Sequence, residues 1–283
     1  MIEKSLKGMT LLFFCLILIS CSGLRSVKSV KTTSPIEINA SLADWPRDAS
    51  MRSPTDEFDV AVANDDEFVY IAISFKNNRT QAMARDFGFR VFFDQQDSFR
   101  RSFGIVYPVG YAEMLAEFPG ARRAYLENPG WRNMPENRSI VESVEQNMVN
   151  RVQIISRSDR RSAVRPVNVS KEQLHANSIE VAMDFDRRRM MVEMKIPIRP
   201  TRDREFSADP DGNGTFLLGF EIVPPDYTEV TGETPTYETV ESRDMMDQYG
   251  GRRQSRTQMQ VSNPQLYAML NYSYQNWIRV RLE

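Results

Sequence analysis

Val69, Ile71, Ile73 and Phe75 occupy every second residue of one stretch, and the same spacing returns along much of the chain. In an extended backbone, successive side chains point to opposite faces, so period-two alternation demands strands with one buried side. Asp59–Asn64 and Phe68–Phe75 flank Asp65-Asp66-Glu67 and read as a hairpin. Phe87, Phe89, Val91 and Phe93 alternate likewise and end at Asp94. Ile179 to Phe185 runs into the turn Asp186-Arg187-Arg188, and Met190 to Ile196 returns from it, stopped by Pro197. Phe216 to Ile222 forms another strand, and Ile278, Val280 and Leu282 the last, with Trp277 on the opposite face.

Helical spacing is scarce. Tyr111 to Phe118 predicts two turns, and Ser139 to Val149 puts Ile140, Val144 and Met148 on one stripe. Ser170 with Gln173 matches a capping box. This helical material sits mostly in an insert at 108–150. Many short strands without a βαβ rhythm predict an all-β fold: an antiparallel two-sheet β-sandwich with a small helical insert.

The first residues carry a different signal. Lys4 and Lys7 precede an apolar run, Met9 to Ile19, that ends in Leu18-Ile19-Ser20-Cys21. Basic start, apolar middle and small residue at the cut make a secretory signal over 1–20, and the run is too short to span a bilayer. The ending resembles the lipobox of bacterial lipoproteins. That resemblance implies a lipidated Cys21, acylated by chains such as palmitate, and, with Ser22 next, a Gram-negative outer-membrane protein facing the periplasm. Removal of the signal takes the only other cysteine, Cys15, with it, so disulfides and thiol catalysis are excluded. Residues 21–35 are small, polar and basic and read as a tether. The folded part then covers 36–283, with 224–263, polar and acidic, read as a mobile loop.

The order of these segments resembles family-9 carbohydrate-binding modules and related DOMON-like, jelly-roll sandwiches. Ile36-Glu-Ile-Asn-Ala-Ser-Leu-Ala-Asp-Trp45 matches their opening "I-x-I-(D/N)-G-x-L-x-(D/E)-W", with Ala40 at the usual glycine. Asp65-Asp66-Glu67-Phe68-Val69-Tyr70, Val192-Glu193-Met194-Lys195-Ile196-Pro197, Leu218-Gly219-Phe220 and Trp277–Leu282 match the later motifs in order. The resemblance implies non-catalytic glycan or oligosaccharide binding. It also leaves open an envelope scaffold that binds a protein partner, and a haem-binding electron carrier of DOMON type.

Sugar binding needs flat aromatic faces for pyranose C–H groups, beside amides and carboxylates for hydroxyls. Trp45 reads as a structural plug. Trp131, in the patternless loop Asn128-Pro-Gly-Trp, is a candidate platform; Trp277, Tyr111 and Tyr274 are further candidates. Asp209, Asp211 and Asn213, on the glycine-bent loop Asp209-Pro-Asp-Gly-Asn-Gly-Thr215, are candidate ligands for a structural Ca²⁺, and a tight polar turn explains the same residues. A net charge of −2 supplies no field for nucleic acid. One histidine, His175, excludes multi-histidine zinc sites, and no G-x-S-x-G elbow is present, so an enzyme is not expected. Haem would have to use His175 with methionines such as Met190, Met191 or Met194, which a strand core also explains.

Overall fold

The computed structural model describes residues 24–95, 99–101, 103–128, 130–156, 166–186, 189–202, 204–242 and 254–283. The strands are β1 (Ser26–Lys28), β2 (Val30–Lys31), β3 (Phe58–Asn64), β4 (Phe68–Phe75), β5 (Arg90–Asp94), β6 (Phe103–Val106), β7 (Arg151–Ser156), β8 (Val167–Ser170), β9 (Glu180–Asp186), β10 (Arg189–Pro197), β11 (Thr215–Ile222), β12 (Thr236–Ser242), β13 (Gln254–Gln260) and β14 (Tyr274–Arg281). The helices are α1 (Asn78–Phe87), α2 (Tyr111–Met114), α3 (Ala121–Glu127), α4 (Arg138–Asn150), α5 (Lys171–Ala176), α6 (Tyr227–Thr231) and α7 (Pro264–Leu270). A seven-stranded sheet in the order β1-β14-β11-β5-β6-β7-β8 packs on a five-stranded sheet in the order β2-β3-β4-β10-β9. The chain is a β-sandwich, with α2, α3 and α4 forming the helical insert between β6 and β7.

Alternation chose the inner faces. Val60, Val62, Ile71, Ile73, Val91, Phe93, Met190, Val192, Met194, Phe216, Leu218, Phe220, Ile278 and Val280 join one interior cluster. Phe58 lies at its centre, with Phe75 edge-on at 4.9 Å and Phe89, Phe220 and Tyr274 within 5.5 Å. Each such ring pair adds about 1 kcal/mol to the area it removes from water. The capping box at Ser170 is present, with the hydroxyl accepting from Gln173 N and the Gln173 side chain accepting from Ser170 N.

Four expectations need correction. The sandwich is not purely antiparallel: β1 runs parallel to β14 and β2 parallel to β3. Those two strands belong to the segment read as a tether. Val27, Ser29 and Thr32 are buried while Lys28 and Lys31 point outward, an alternation too short and too basic to stand out in sequence. Phe87 ends helix α1 instead of opening a strand, because Gly88, at φ 85°, closes the helix before β5 begins. The 224–263 segment, read as a loop, contains α6 and the paired strands β12 and β13. Asp226 starts α6 by accepting from Thr228 N at 2.8 Å. The hairpin strands have no run of alternating large apolar residues, which hid them from a search for buried faces.

Candidate functional site

The insert builds its own small core, and this decides where the aromatic candidates go. Tyr111, Met114, Leu115, Trp131, Val144 and Met148 pack together where α2, α3 and α4 meet. Trp131 is only 6% exposed, and its loop has a local cause: Asn128 accepts from Gly130 N through its side chain and from Trp131 N through its carbonyl. The three short helices must bury their apolar faces on something large, and the indole fills that space. Tyr111 is fully buried beneath it.

Trp277 lies elsewhere, on the outer face of the seven-stranded sheet. Its ring crosses Gly219, where a Cβ would come within 2.6 Å of the indole, and stacks on Phe92 at 6.4 Å. Leu24 and Phe99 pack against it, leaving it 8% exposed. Tyr274 is half-buried and turns its ring edge to Phe58 in the main core. The four aromatic candidates therefore divide among three clusters, with Tyr111, Trp131 and Trp277 buried and Tyr274 half-buried.

A platform does exist beside Trp131. Tyr125, on α3, touches Tyr111 at 4.9 Å and Trp131 at 6.1 Å, and, half-buried, it lines a cleft of about 560 Å³. The cleft is also lined by Arg85 and Asp86 of α1, Arg132 and Asn133 of the turn after Trp131, Glu145 of α4 and Met269 of α7. Its size falls within the range of small-ligand sites. Helix α1 reaches it because Asn77 caps its first turn, accepting from Thr80 N at 2.8 Å, while Met83, Ala84 and Phe87 hold its other face down.

The polar groups of the cleft are fixed by one another. Asp86 accepts from the Tyr125 hydroxyl at 2.8 Å and from Arg85 Nε at 3.3 Å. Arg132 donates to Glu145 at 2.7 Å and sits 4.6 Å above the Tyr111 ring. Burial, followed by the neighbouring Asp86 carboxylate, pushes the Tyr125 phenol upward, so it stays neutral at physiological pH. Burial opposes the Arg132 charge, but the bond to Glu145 and the nearby tyrosines outweigh it and raise its pKa. Tyr125 escaped the sequence reading because Ala121–Glu127 has too few apolar residues to announce a helix.

The calcium candidates face inward to the chain. Asp211 Oδ1 accepts from Asn213 N and Thr215 N, both at 2.8 Å, while Asp209 pairs with Arg199 at 3.1 Å. Those contacts account for the loop as a polar turn. Among the described residues no group of three or more His, Cys, Asp and Glu side chains is placed to hold a metal ion. Met190 and Met194 are fully buried core residues, whereas the His175 side chain is 77% exposed, so the haem arrangement is not assembled either.

Trp45 donates its Nε1–H to Glu193 at 2.6 Å and plugs the outer face of the five-stranded sheet. Among the described residues no helix is long and apolar enough to cross a membrane; Cys21 and the 1–20 signal lie outside the described residues.

No family model matches the chain, and no curated protein matches it in sequence. Among solved structures it is similar to a family-9 carbohydrate-binding module from Caldicellulosiruptor kristjanssonii in complex with glucose, at 11% identity and a TM-score of 0.34, over 92% of this chain and 96% of that one. The same module in complex with cellotriose aligns at 11% identity and a TM-score of 0.32, over 92% of this chain and 94% of the other.

Proposed function

We propose that this protein binds a neutral oligosaccharide, without altering it, in the cleft beside Tyr125, and that an acylated Cys21 holds it in the cell envelope at the outer membrane. The observation that carries the reading is the convergence of the partly exposed Tyr125 with polar groups of both signs on one open cleft. A pyranose offers apolar C–H faces to the ring and hydroxyls that both donate and accept, so it needs cationic, anionic and amide partners together. Arg85 and Arg132 stand against Asp86 and Glu145, and that balance favours a ligand without net charge. Both carboxylates accept from neighbouring side chains, Asp86 from Tyr125 and Glu145 from Arg132, which suits a fixed set of contacts for hydroxyls.

The test is retardation of the full-length chain in gels containing neutral glycans, with titration calorimetry against glucose and cellotriose as the first soluble ligands. Asn133→Ala and Tyr125→Ala each weaken binding by about tenfold or more, the value of one or two good contacts. Absence of retardation by every neutral glycan, or unchanged binding in both variants, rejects the reading. The anchor is tested separately: radiolabelled fatty acid enters the protein in cells and fails to enter Cys21→Ala.

A further inference from the structure

A second cavity, of about 250 Å³, opens at the end of the outer face of the seven-stranded sheet and shares no lining residue with the first. Arg90 of β5, Gln153 of β7, Glu113 of α2, Arg122 of α3 and Asp226 at the start of α6 line it, with Pro166 and Pro224 on its wall. We propose that this cavity binds a sugar acid, a hydroxylated ring bearing one carboxylate, with Arg90 and Arg122 taking the carboxylate.

The observation behind it is a pair of guanidinium groups with unused donors. Among the described residues the half-buried Arg90 guanidinium makes no hydrogen bond and no ion pair. Burial pulls its pKa down, opposed only by attraction to Glu221 and Glu113 at longer range. Glu221 is committed to Arg101. Arg122 donates through one terminal nitrogen to Glu229 at 2.7 Å, and among the described residues its second terminal nitrogen makes no hydrogen bond; its Nε is buried out of a ligand's reach. A buried cation without a partner is costly, and a guanidinium's fork of donors matches a carboxylate. Glu113, Asp226 and Glu229, the last already paired with Arg122, line the same wall, leave Arg90 as the cation without a partner, and disfavour a bare dianion such as phosphate. With Gln153 they can take the hydroxyls of a ring, so the chemistry asks for one negative charge set among hydroxyls.

The experiment is calorimetric titration of the full-length chain with D-glucuronate and D-galacturonate, against D-glucose and inorganic phosphate. At least one acid binds, glucose and phosphate do not compete with it, and Arg90→Gln weakens it by about tenfold or more. Arg90→Gln keeps or raises the melting temperature, since it removes an unpaired, partly buried charge. Arg122→Gln is the second variant, with the same loss expected. Tyr125→Ala leaves acid binding unchanged, so this site and the neutral-sugar cleft stand or fall separately. The inference is overturned if neither acid binds, if phosphate displaces the acid equally well, or if both arginine variants bind as the parent chain does.

Discussion

The Trp45 indole donates to Glu193 Oε1 at 2.6 Å, joining residues 148 positions apart at a carboxylate that is fully shielded from water. The other oxygen of Glu193 accepts from Asn39 N at 2.9 Å and Ala40 N at 2.7 Å. One side chain of β10 thus fastens the 36–45 segment across the sheet, where Trp45, Ile36 and Tyr70 pack together.

Glu193→Ala leaves three donors without an acceptor and opens a void, so it costs about 3 kcal/mol or more, read from urea unfolding. Glu193→Gln keeps the shape but loses one acceptor, and costs less.

The same carboxyl sets a pH dependence. Burial raises the Glu193 pKa above its ordinary value of 4.5, against the pull of its Trp45, Ala40 and Asn39 donors. The folded chain therefore holds this proton more tightly than the unfolded chain. Its contribution grows as pH falls from above the raised native value toward 4.5, and is lost again as pH rises through that value. The stability of the parent chain relative to Glu193→Gln should increase over that fall; a flat difference in urea midpoints between pH 8 and pH 5 would count against it.

Ala40→Gly should stabilise the chain by about 0.5 kcal/mol. Ala40 sits at φ 60°, a left-handed conformation that a Cβ makes costly, and glycine recovers more there than it loses in chain entropy. A higher urea midpoint with unchanged slope is the expected result.

Trp131→Ala should unfold the insert instead of merely emptying a sugar site. Removing an indole packed among Tyr111, Met114 and Val144 costs about 3–5 kcal/mol. Asn133→Ala, on the cleft wall, should leave the melting temperature unchanged, so thermal scans separate a core residue from a contact residue.

Chelator should not shift the melting temperature, whereas Asp211→Ala should lower stability by about 1 kcal/mol. The Asp211 carboxylate closes its own turn through Asn213 N and Thr215 N, and that loss needs no cation.

The sandwich was legible because Ile71, Ile73, Met194 and Leu218 bury one face of strands long enough to show period two. The Ala40 turn was visible as a departure from the glycine of the related motif, and the structure keeps the glycine-like backbone there. Function was harder to read, since an aromatic residue in sequence declares its size and not its exposure. Trp131 looked like a loop residue because its partners Tyr111 and Met148 arrive from helices on either side of it. Tyr125 looked ordinary because its value lies in being the one of that group left partly open. Arg90 was hidden inside a strand pattern whose apolar members drew the attention.

Strands β1 and β2 put Ser29 at the seam of the molecule, buried, with its backbone N–H on Arg281 O and its hydroxyl between Asn64 and Glu283 N. Only four residues stand between Cys21 and Ser26, so an acyl group proposed there would reach at most about 18 Å of extended chain from the sheet edge. On the proposed anchoring, the folded body would be held close to the lipid headgroups. A pull on the chain before Ser26 would load both sheets in shear, because β1 pairs with β14 in one sheet and β2 with β3 in the other.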